Sequence, residues 1–401
     1  KAPTMLATTE LPALDDDPFS HEILEDPTDF HHRLREAGPI TRLPHYGVYA
    51  AGRHAQVHAA LTDWQSFESS AGVGLSNFRT ETPWRPPSLL LETDPPVHDA
   101  PRHVLEPILT PRVLRAMRAE WLRAGEELVE QVISRGEVDL AKDIAAAYPL
   151  RVFPDAVGIP REGRENLLPY GDHLFNAFGP KNDLVRKGEP TIAGISAWVN
   201  EQCARDKLTP DGFGMQIWEA ADRGDILPEQ APTIVRSLLS AGVDTTVHGL
   251  AAVLYCFATY PDAWQAVREN PHLIRTAFDE AVRYESPVQT FFRTATRDVE
   301  LGGTVIGEGE KILLFLGSAN RDPRRWDDPD AFDLSRDPSG HVGFGMGIHQ
   351  CVGQHVARLE AEAILSALAT RISRIELTGP PVRHHNNTLR AWESIPARLH
   401  A

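Results

Sequence analysis

The stretch that most constrains this chain reads His341-Val342-Gly343-Phe344-Gly345-Met346-Gly347-Ile348-His349-Gln350-Cys351-Val352-Gly353, and a helix-like apolar repeat follows over residues 357–372. Cys351 stands just before that repeat, so its sulfur is expected at a helix N-terminus, where unpaired N–H groups favour a thiolate. Gly345 and Gly347 let the backbone fold tightly around the sulfur and turn amides toward it, and Gly353 lets the helix start approach a flat object closely. Taken alone, a free cysteine beside a Gly-rich turn is more often a buried structural residue. The spacing of its neighbours changes that balance.

Phe-Gly-x-Gly-x-His-x-Cys-x-Gly, residues 344–353, resembles the haem-binding signature of cytochromes P450 and matches it at every fixed position. In that family the cysteine thiolate is the proximal ligand of haem b iron and pushes electron density that favours O–O cleavage. The resemblance implies that Cys351 ligates iron, that His349 meets a haem propionate, and that Phe344 and Gly353 lie against the cofactor. It also implies the P450 fold, mainly α with a smaller β region near the N-terminus, and dioxygen as co-substrate.

No Pro/Ser/Gly-rich linker or composition break divides the 401 residues, so 1–401 is read as one domain, and 42% hydrophobic residues suffice for its core. Three cysteines, at 203, 256 and 351, include no CxxC pair, which argues against a disulfide framework and fits a reducing cytoplasm. The most apolar region, residues 234–260, is interrupted by Arg236, Asp244 and His248, so a buried helix is expected rather than a membrane span. No anchor or signal peptide is visible, although the chain starts at Lys1 without Met. A net charge of −16 speaks against nucleic acid as a partner.

Along the chain, residues 1–25 are acidic and aperiodic and are expected to wrap the surface. Residues 27–37 read as a helix, 40–51 as a hairpin and 55–62 as a short helix. Residues 69–94, rich in Gly, Pro and Ser, form a long loop of a kind that is usually functional or mobile. Helices are expected over 113–135 and 142–157, and 164–178 with 192–205 make a helix pair around Gly179-Pro180. The longest helix is expected over 229–260. Its centre, Ala241-Gly242-Val243-Asp244-Thr245-Thr246, is costly in a helix interior, so it is either a kink satisfied by its own hydroxyls or a functional groove. A strand is read at 288–293, a hairpin between 299–306 and 311–316, an irregular meander from Asn320, and short strands after 373.

The family resemblance gives several of these segments a role. Asp94-Pro95-Pro96-Val97-His98 enters a helix on which His98 and Arg102, four apart on one face, meet haem propionates. Asp99 and Ala100 stand where the family usually has Thr-Arg, on the face that receives the electron donor. The helix pair is the lid over the substrate channel. Asp244 and Thr245 are the catalytic acid–alcohol pair that delivers protons, while Ala241 and Gly242 shape the oxygen pocket beside the haem; His248 has no role. Arg293 contacts a propionate. Glu280-Ala281-Val282-Arg283 matches the family's Glu-x-x-Arg and braces the cysteine loop. Ala331 stands where that network is usually completed, so Arg325 or Arg336 is expected to substitute, or the network is smaller.

Within the family the resemblance is closer to soluble bacterial enzymes that oxidise para-substituted benzoates such as 4-methoxybenzoate, and it covers essentially the whole chain. It rests on Pro83-Trp84-Arg85-Pro86-Pro87-Ser88-Leu89, Phe175-Asn176-Ala177-Phe178-Gly179-Pro180, Val235-Arg236-Ser237-Leu238-Leu239-Ser240 and Val288-Gln289-Thr290-Phe291-Phe292-Arg293. It implies that Arg85, Ser88 and Ser237 bind the benzoate carboxylate with Arg236 and Ser240 nearby. Leu91, Phe175, Phe178, Ala241, Val288 and Phe291 then grip the ring. A carboxylate entering an apolar pocket must exchange its water for charge-assisted or hydroxyl hydrogen bonds, which these residues offer. The implied reaction is O-demethylation of 4-methoxybenzoate to 4-hydroxybenzoate in a cytoplasmic, bacterial monomer. Electrons would come from an iron–sulfur ferredoxin and its NADH-dependent flavoprotein reductase. Rival readings are a P450 for another aromatic carboxylate, such as a cinnamate or an indole carboxylate, one for an uncharged terpene, a peroxide-driven haem-thiolate peroxygenase, and a haem sensor. An uncharged ligand leaves Arg85 without purpose, and the Asp244–Thr245 pair speaks against the peroxygenase.

Overall fold

The structure is a computed structural model that describes residues 10–401; of the expected N-terminal wrap, residues 1–9 lie outside it. The chain opens with α1 (His21–Glu25), α2 (Thr28–Ala37), β1 (Thr41–Leu43), β2 (Val48–Ala51), α3 (His54–Thr62) and β3 (Phe67–Glu68). After an irregular stretch the helical body follows: α4 (Asp99–Ile108), α5 (Pro111–Arg115), α6 (Arg118–Ile133), β4 (Glu137–Asp139), a π-helical segment (Leu140–Ala146), α7 (Ala147–Val157), α8 (Leu167–Ala177), α9 (Asp183–Gln202) and α10 (Phe213–Asp222). Next come α11 (Ala231–Ala241), α12 (Asp244–Thr259), α13 (Pro261–Glu269), α14 (Leu273–Glu285), β5 (Thr290–Ala295), β6 (Val299–Leu301), β7 (Thr304–Ile306), β8 (Lys311–Phe315) and α15 (Leu316–Ala319). The meander then leads to α16 (Gln354–Ala369), β9 (Arg374–Leu377), β10 (Val382–His385), β11 (Arg390–Ser394) and β12 (Pro396–His400).

Helix α12 buries residues all round its circumference, including Val247, Leu250, Val253, Leu254 and Phe257. A helix with no polar face must be central, and α12 packs against the π-helical segment, α14 and α16 in the main core. Residues 228–259 are the one described stretch long and apolar enough to cross a membrane, yet most of it is buried inside the protein. The expected single helix over 229–260 is broken: Gly242 and Val243 leave the helical path between α11 and α12. The hydroxyl of Thr245 donates to the Ala241 carbonyl at 2.8 Å, filling the acceptor that the break frees.

The main sheet has the order β1-β2-β8-β5-β3. All five residues of β8 are buried, and a strand without a solvent face belongs in the interior of a sheet. It runs parallel to β2 (Tyr49↔Ile312) and antiparallel to β5 (Arg293↔Ile312). This corrects the expected hairpin between residues 299–306 and 311–316. Strand β6 instead closes on β7 (Val299↔Ile306) through Gly302 and Gly303, both at positive φ, and that tight turn completes a ribbon of its own. The second helix of the expected pair also begins earlier, at Asp183 rather than 192. The Asn182 side chain accepts from the Val185 amide as an N-cap, and Pro190 is accommodated inside α9.

Candidate active site

Cysteine and glycine chemistry shape one wall of a cavity whose walls enclose about 1620 Å³ of atom-free space, its mouth included. The amide of Cys351 donates to the Phe344 carbonyl at 2.8 Å, and Gly345 and Gly347 adopt φ of 69° and 74°, closing the loop so that Cys351 faces the cavity. Gly347 is needed twice over, because a Cβ there would also lie 2.8 Å from the Leu61 carbonyl oxygen. Gly353 borders the cavity and meets nothing nearer than the Cys351 sulfur at 3.9 Å, which leaves room for a flat group. Burial pushes the Cys351 thiol up, against the Gly353 amide that favours the thiolate. The expected helix-terminus effect is therefore outweighed, and a cation at the sulfur is what would hold it ionised.

Beside the loop stands a group of basic side chains short of anions. Arg293, projecting from β5, is buried, and its one hydrogen bond goes to the Phe292 carbonyl at 2.9 Å. Burial pulls its pKa down to about 10, with Asp94 opposing, and no carboxylate of the described residues lies within ion-pair distance. His98 is buried with both ring nitrogens unpaired; its Nδ1 comes within 3.5 Å of Asp99 but without hydrogen-bond geometry. The His98 and His349 rings meet edge to face at 4.7 Å, and His349 Nε2 lies 3.4 Å from an Asp94 oxygen. Arg102 lines the cavity and pairs with Glu106 at 2.9 Å. A buried guanidinium without a carboxylate, an unpaired imidazole and a cysteine facing the same cavity fit a haem with its two propionates. Phe344 lines the cavity with the Arg358 guanidinium over its ring at 4.9 Å.

Beneath the loop, Glu280 and Arg283 are fully buried and paired. Arg336 supplies the missing third member, its Nε 3.0 Å from Glu280 Oε2, while Arg325 goes elsewhere, to the Ser339 carbonyl. Arg283 donates to the carbonyls of Asn320, Pro329 and Ala331, each at 2.9 Å. The meander position held by Ala331 therefore contributes its backbone instead of a side chain.

The break between α11 and α12 forms the facing wall. Ala241, Gly242, Thr245 and Thr246 border the cavity. The space a Cβ on Gly242 would need is taken by the Phe153 ring at 2.4 Å, so its bareness admits Phe153 rather than leaving a groove. Asp244 is 3% exposed and does not border the cavity; it turns toward His248, 2.9 Å away.

Two further guanidiniums are buried, Arg85 at the cavity wall and Arg236 just outside the lining. Arg85 is 9% and Arg236 4% exposed, and neither has a carboxylate partner among the described residues. Arg85 donates only to the Tyr170 hydroxyl, at 2.7 Å, and lies over the faces of Trp84 and Tyr170. Arg236 donates to the Pro86 carbonyl at 2.7 Å and leaves Nε unpaired; burial, then the charge of Arg85, holds its pKa down. Ser88 and Ser237 place their hydroxyls 3.4 Å apart at the cavity wall. Ser240 turns to its own helix, donating to the Arg236 carbonyl at 2.9 Å.

Between the two ends the wall is apolar. Leu91, Phe175, Val288 and Phe291 border the cavity, whereas Phe178 does not and packs behind them, edge to face on Phe175 at 5.6 Å and against Phe291 at 6.0 Å. Hydrogen bonds pin this end of α8 from both sides: Leu75 N donates to Phe178 O at 2.8 Å, and Asn387 Nδ2 to Asn176 O at 2.9 Å. Two contributors went unread. Tyr170 reads as one apolar position of α8, and the i,i+4 spacing of Asp244 and His248 on α12 is the signal that could have paired them.

The family description "Cytochrome P450" matches residues 219–384. A "Cytochrome p450 CYP199A2" of Rhodopseudomonas palustris is 55% identical over 97% of this chain and 95% of that protein. A "Beta-dihydromenaquinone-9 omega-hydroxylase" of Mycobacterium tuberculosis is 30% identical over 94% of this chain and 76% of its own length. Among solved structures, P450BioI in complex with a hexadec-9Z-enoic acid ligated acyl carrier protein superposes with a TM-score of 0.85 at 26% identity, over 94% of this chain and all of that one.

Proposed function

From the premise that this chain belongs to the cytochrome P450 family and is a monooxygenase, we propose that it oxidises para-substituted benzoic acids, removing the methyl group of 4-methoxybenzoate. The observation that carries this reading is Arg85, a buried guanidinium without a carboxylate that borders the same largely apolar cavity as Cys351, with a second such guanidinium, Arg236, just outside the lining. Two uncompensated charges in low dielectric are costly, and an anionic ligand relieves them.

Arg85, Ser88 and Ser237 hold the carboxylate, with Arg236 and Ser240 behind them. Leu91, Phe175, Phe178, Ala241, Val288 and Phe291 confine the ring, so that the para substituent is the part turned toward Cys351. Holding one bond in place turns an unselective oxidant into a regioselective one. Cys351 would ligate the haem iron, His98, Arg102, Arg293 and His349 would take its propionates, and Phe344, Gly353, Ala241 and Gly242 border the space it would fill. When bound, the haem supplies dioxygen activation and insertion of one oxygen atom into a C–H bond. Thr245 presents its hydroxyl at the cavity wall, and Asp244 rotates from His248 to pass protons to it. The hydroxylated methoxy carbon leaves as formaldehyde, giving 4-hydroxybenzoate. A ferredoxin, reduced by an NADH-dependent flavoprotein, supplies the electrons in the bacterial cytoplasm, and the enzyme acts as a monomer of one domain.

Turnover of 4-methoxybenzoate with such a ferredoxin and reductase is expected to yield 4-hydroxybenzoate and formaldehyde in equal amounts, with the methyl ester of the same acid left nearly untouched. Equal turnover of acid and ester would remove the carboxylate anchor from the account.

A further inference from the structure

The acid of the proposed proton-delivering pair faces away from the cavity. Asp244 points into the seam between α12 and α8, where its Oδ1 lies 2.9 Å from His248 Nε2. Its Oδ2 and the Nδ1 of His248 are both buried without a hydrogen-bond partner. Helix α8 runs so close that a Cβ on Gly171 would sit 2.9 Å from that Oδ2. The next residue, Asp172, continues outward. Its Oδ1 is 2.6 Å from His384 Nε2 and 2.9 Å from Asn386 Nδ2, and His384 Nδ1 is 3.1 Å from Glu393 Oε2. Glu393 is 53% exposed on β11.

The two pairs feel each other across the seam. Asp172 is held low although burial pushes it up, chiefly by its hydrogen bond from His384, with Asn386 and the charge of His248 contributing. His384 is raised by Asp172 against burial, with Glu393 and Asp244 adding to it. A structural ion pair in a core ends in satisfied groups, because each orphaned polar atom costs about 1–3 kcal/mol. Here the orphaned atoms of Asp244 and His248 lie in the same seam beside α8.

We propose that Glu393, His384, Asp172 and His248 form a proton-supply line from solvent at the β10–β11 hairpin to Asp244, with both histidines as positioning residues for Thr245. The inference rests on reading Asp244 and Thr245 as the proton-delivering pair. Each imidazole gains a proton on one nitrogen and loses one from the other, and each carboxylate takes an O–H and releases it. One proton therefore advances per cycle and no electrons move. The step between His248 Nδ1, which has no partner, and the Asp172 carboxylate, which feels the charge of His248, is the one that requires a bridging water. Because Asp172 rides on α8, the line is continuous only while α8 lies against α12 and the hairpin.

The test compares Asp244→Asn, His248→Gln, His384→Gln and Asp172→Asn in the holoenzyme with 4-methoxybenzoate. For the last three, kcat is expected to fall roughly tenfold, with KM and the substrate-induced absorption shift unchanged and a larger solvent deuterium isotope effect. Independently of turnover, infrared titration of the resting protein should show the Asp172 carboxyl band moving up in pH when His384 is replaced. If Asp244→Asn runs at full speed, the underlying reading of the acid–alcohol pair fails. If Asp244→Asn is slow while both histidine variants keep wild-type rate and isotope effect, the line itself is wrong. A fall in kcat with raised KM and an unchanged isotope effect would mark the histidines as mere lid contacts and overturn it as well. Should His248→Gln fail to fold, Asp172→Asn on the outer side of the seam carries the same decision.

Discussion

The two ends of the cavity solve opposite problems. At the cysteine end, position is set by backbone: two glycines at positive φ, a 2.8 Å hydrogen bond from the Cys351 amide to the Phe344 carbonyl, and a buried Glu280–Arg283–Arg336 network gripping meander carbonyls. At the anion end it is set by side chains from separate segments: Arg85 and Ser88 from the irregular loop, Tyr170 from α8, Arg236 and Ser237 from α11. Both ends hold buried cations without carboxylates. The difference teaches where a change is expensive: in stability at the first end, in ligand affinity at the second.

The largest expected effect is at the brace. Glu280→Gln leaves Arg283 and Arg336 buried with no anion, and loss of one partner of such a network costs about 3–5 kcal/mol. Chemical denaturation should show that loss, and an unchanged midpoint would mean the network is incidental. Next comes Arg293→Met, which should act in opposite directions with and without haem. The folded pKa of Arg293, about 10, lies below the ordinary guanidinium range, so the folded state holds that proton less tightly than the unfolded chain. The penalty is fully present below pH about 10 and fades as pH rises from there toward the ordinary range. Removing the charge should stabilise haem-free protein at neutral pH by up to about 3 kcal/mol and weaken haem retention, read by denaturation of both forms. Gly347→Ala should cost about 1–3 kcal/mol, because an L side chain is strained at positive φ and its Cβ meets the Leu61 carbonyl. The smallest effect is expected for Tyr170→Phe. Losing one hydrogen bond to Arg85 should weaken benzoate binding by about 0.5–1.5 kcal/mol while thermal stability stays put. A larger stability change there would blur the contrast between the ends.

The same contrast explains how much could be read from sequence. The cysteine loop is contiguous, so its glycines, His349 and Cys351 stand in one row, and the helix-weakening run from Ala241 to Thr246 announces its own break. Arg85 and Arg236 lie far apart in the chain, and residue types alone would pass for solvated loop and helix positions; family resemblance put them together. Tyr170 and His384 went unread because their partners come from other elements, and no local periodicity encodes a hydrogen bond across a helix seam; His248 stands one turn from Asp244 on the same helix, a spacing that alone assigned it no role. Strand β8 was misassigned to a hairpin because pairing depends on which edge needs an apolar neighbour, a property of the whole sheet.

The most direct test of the account is an absorption titration of the ferric holoprotein with 4-methoxybenzoate, comparing the native chain with Arg85→Ala. The account predicts a low-spin to high-spin shift whose midpoint moves to higher concentration by about 1.5–3 kcal/mol, roughly ten- to hundredfold, in the variant. Identical titrations, or no shift with any benzoate while the reduced carbon monoxide spectrum still reports thiolate ligation, would leave the haem end standing and contradict the anion end.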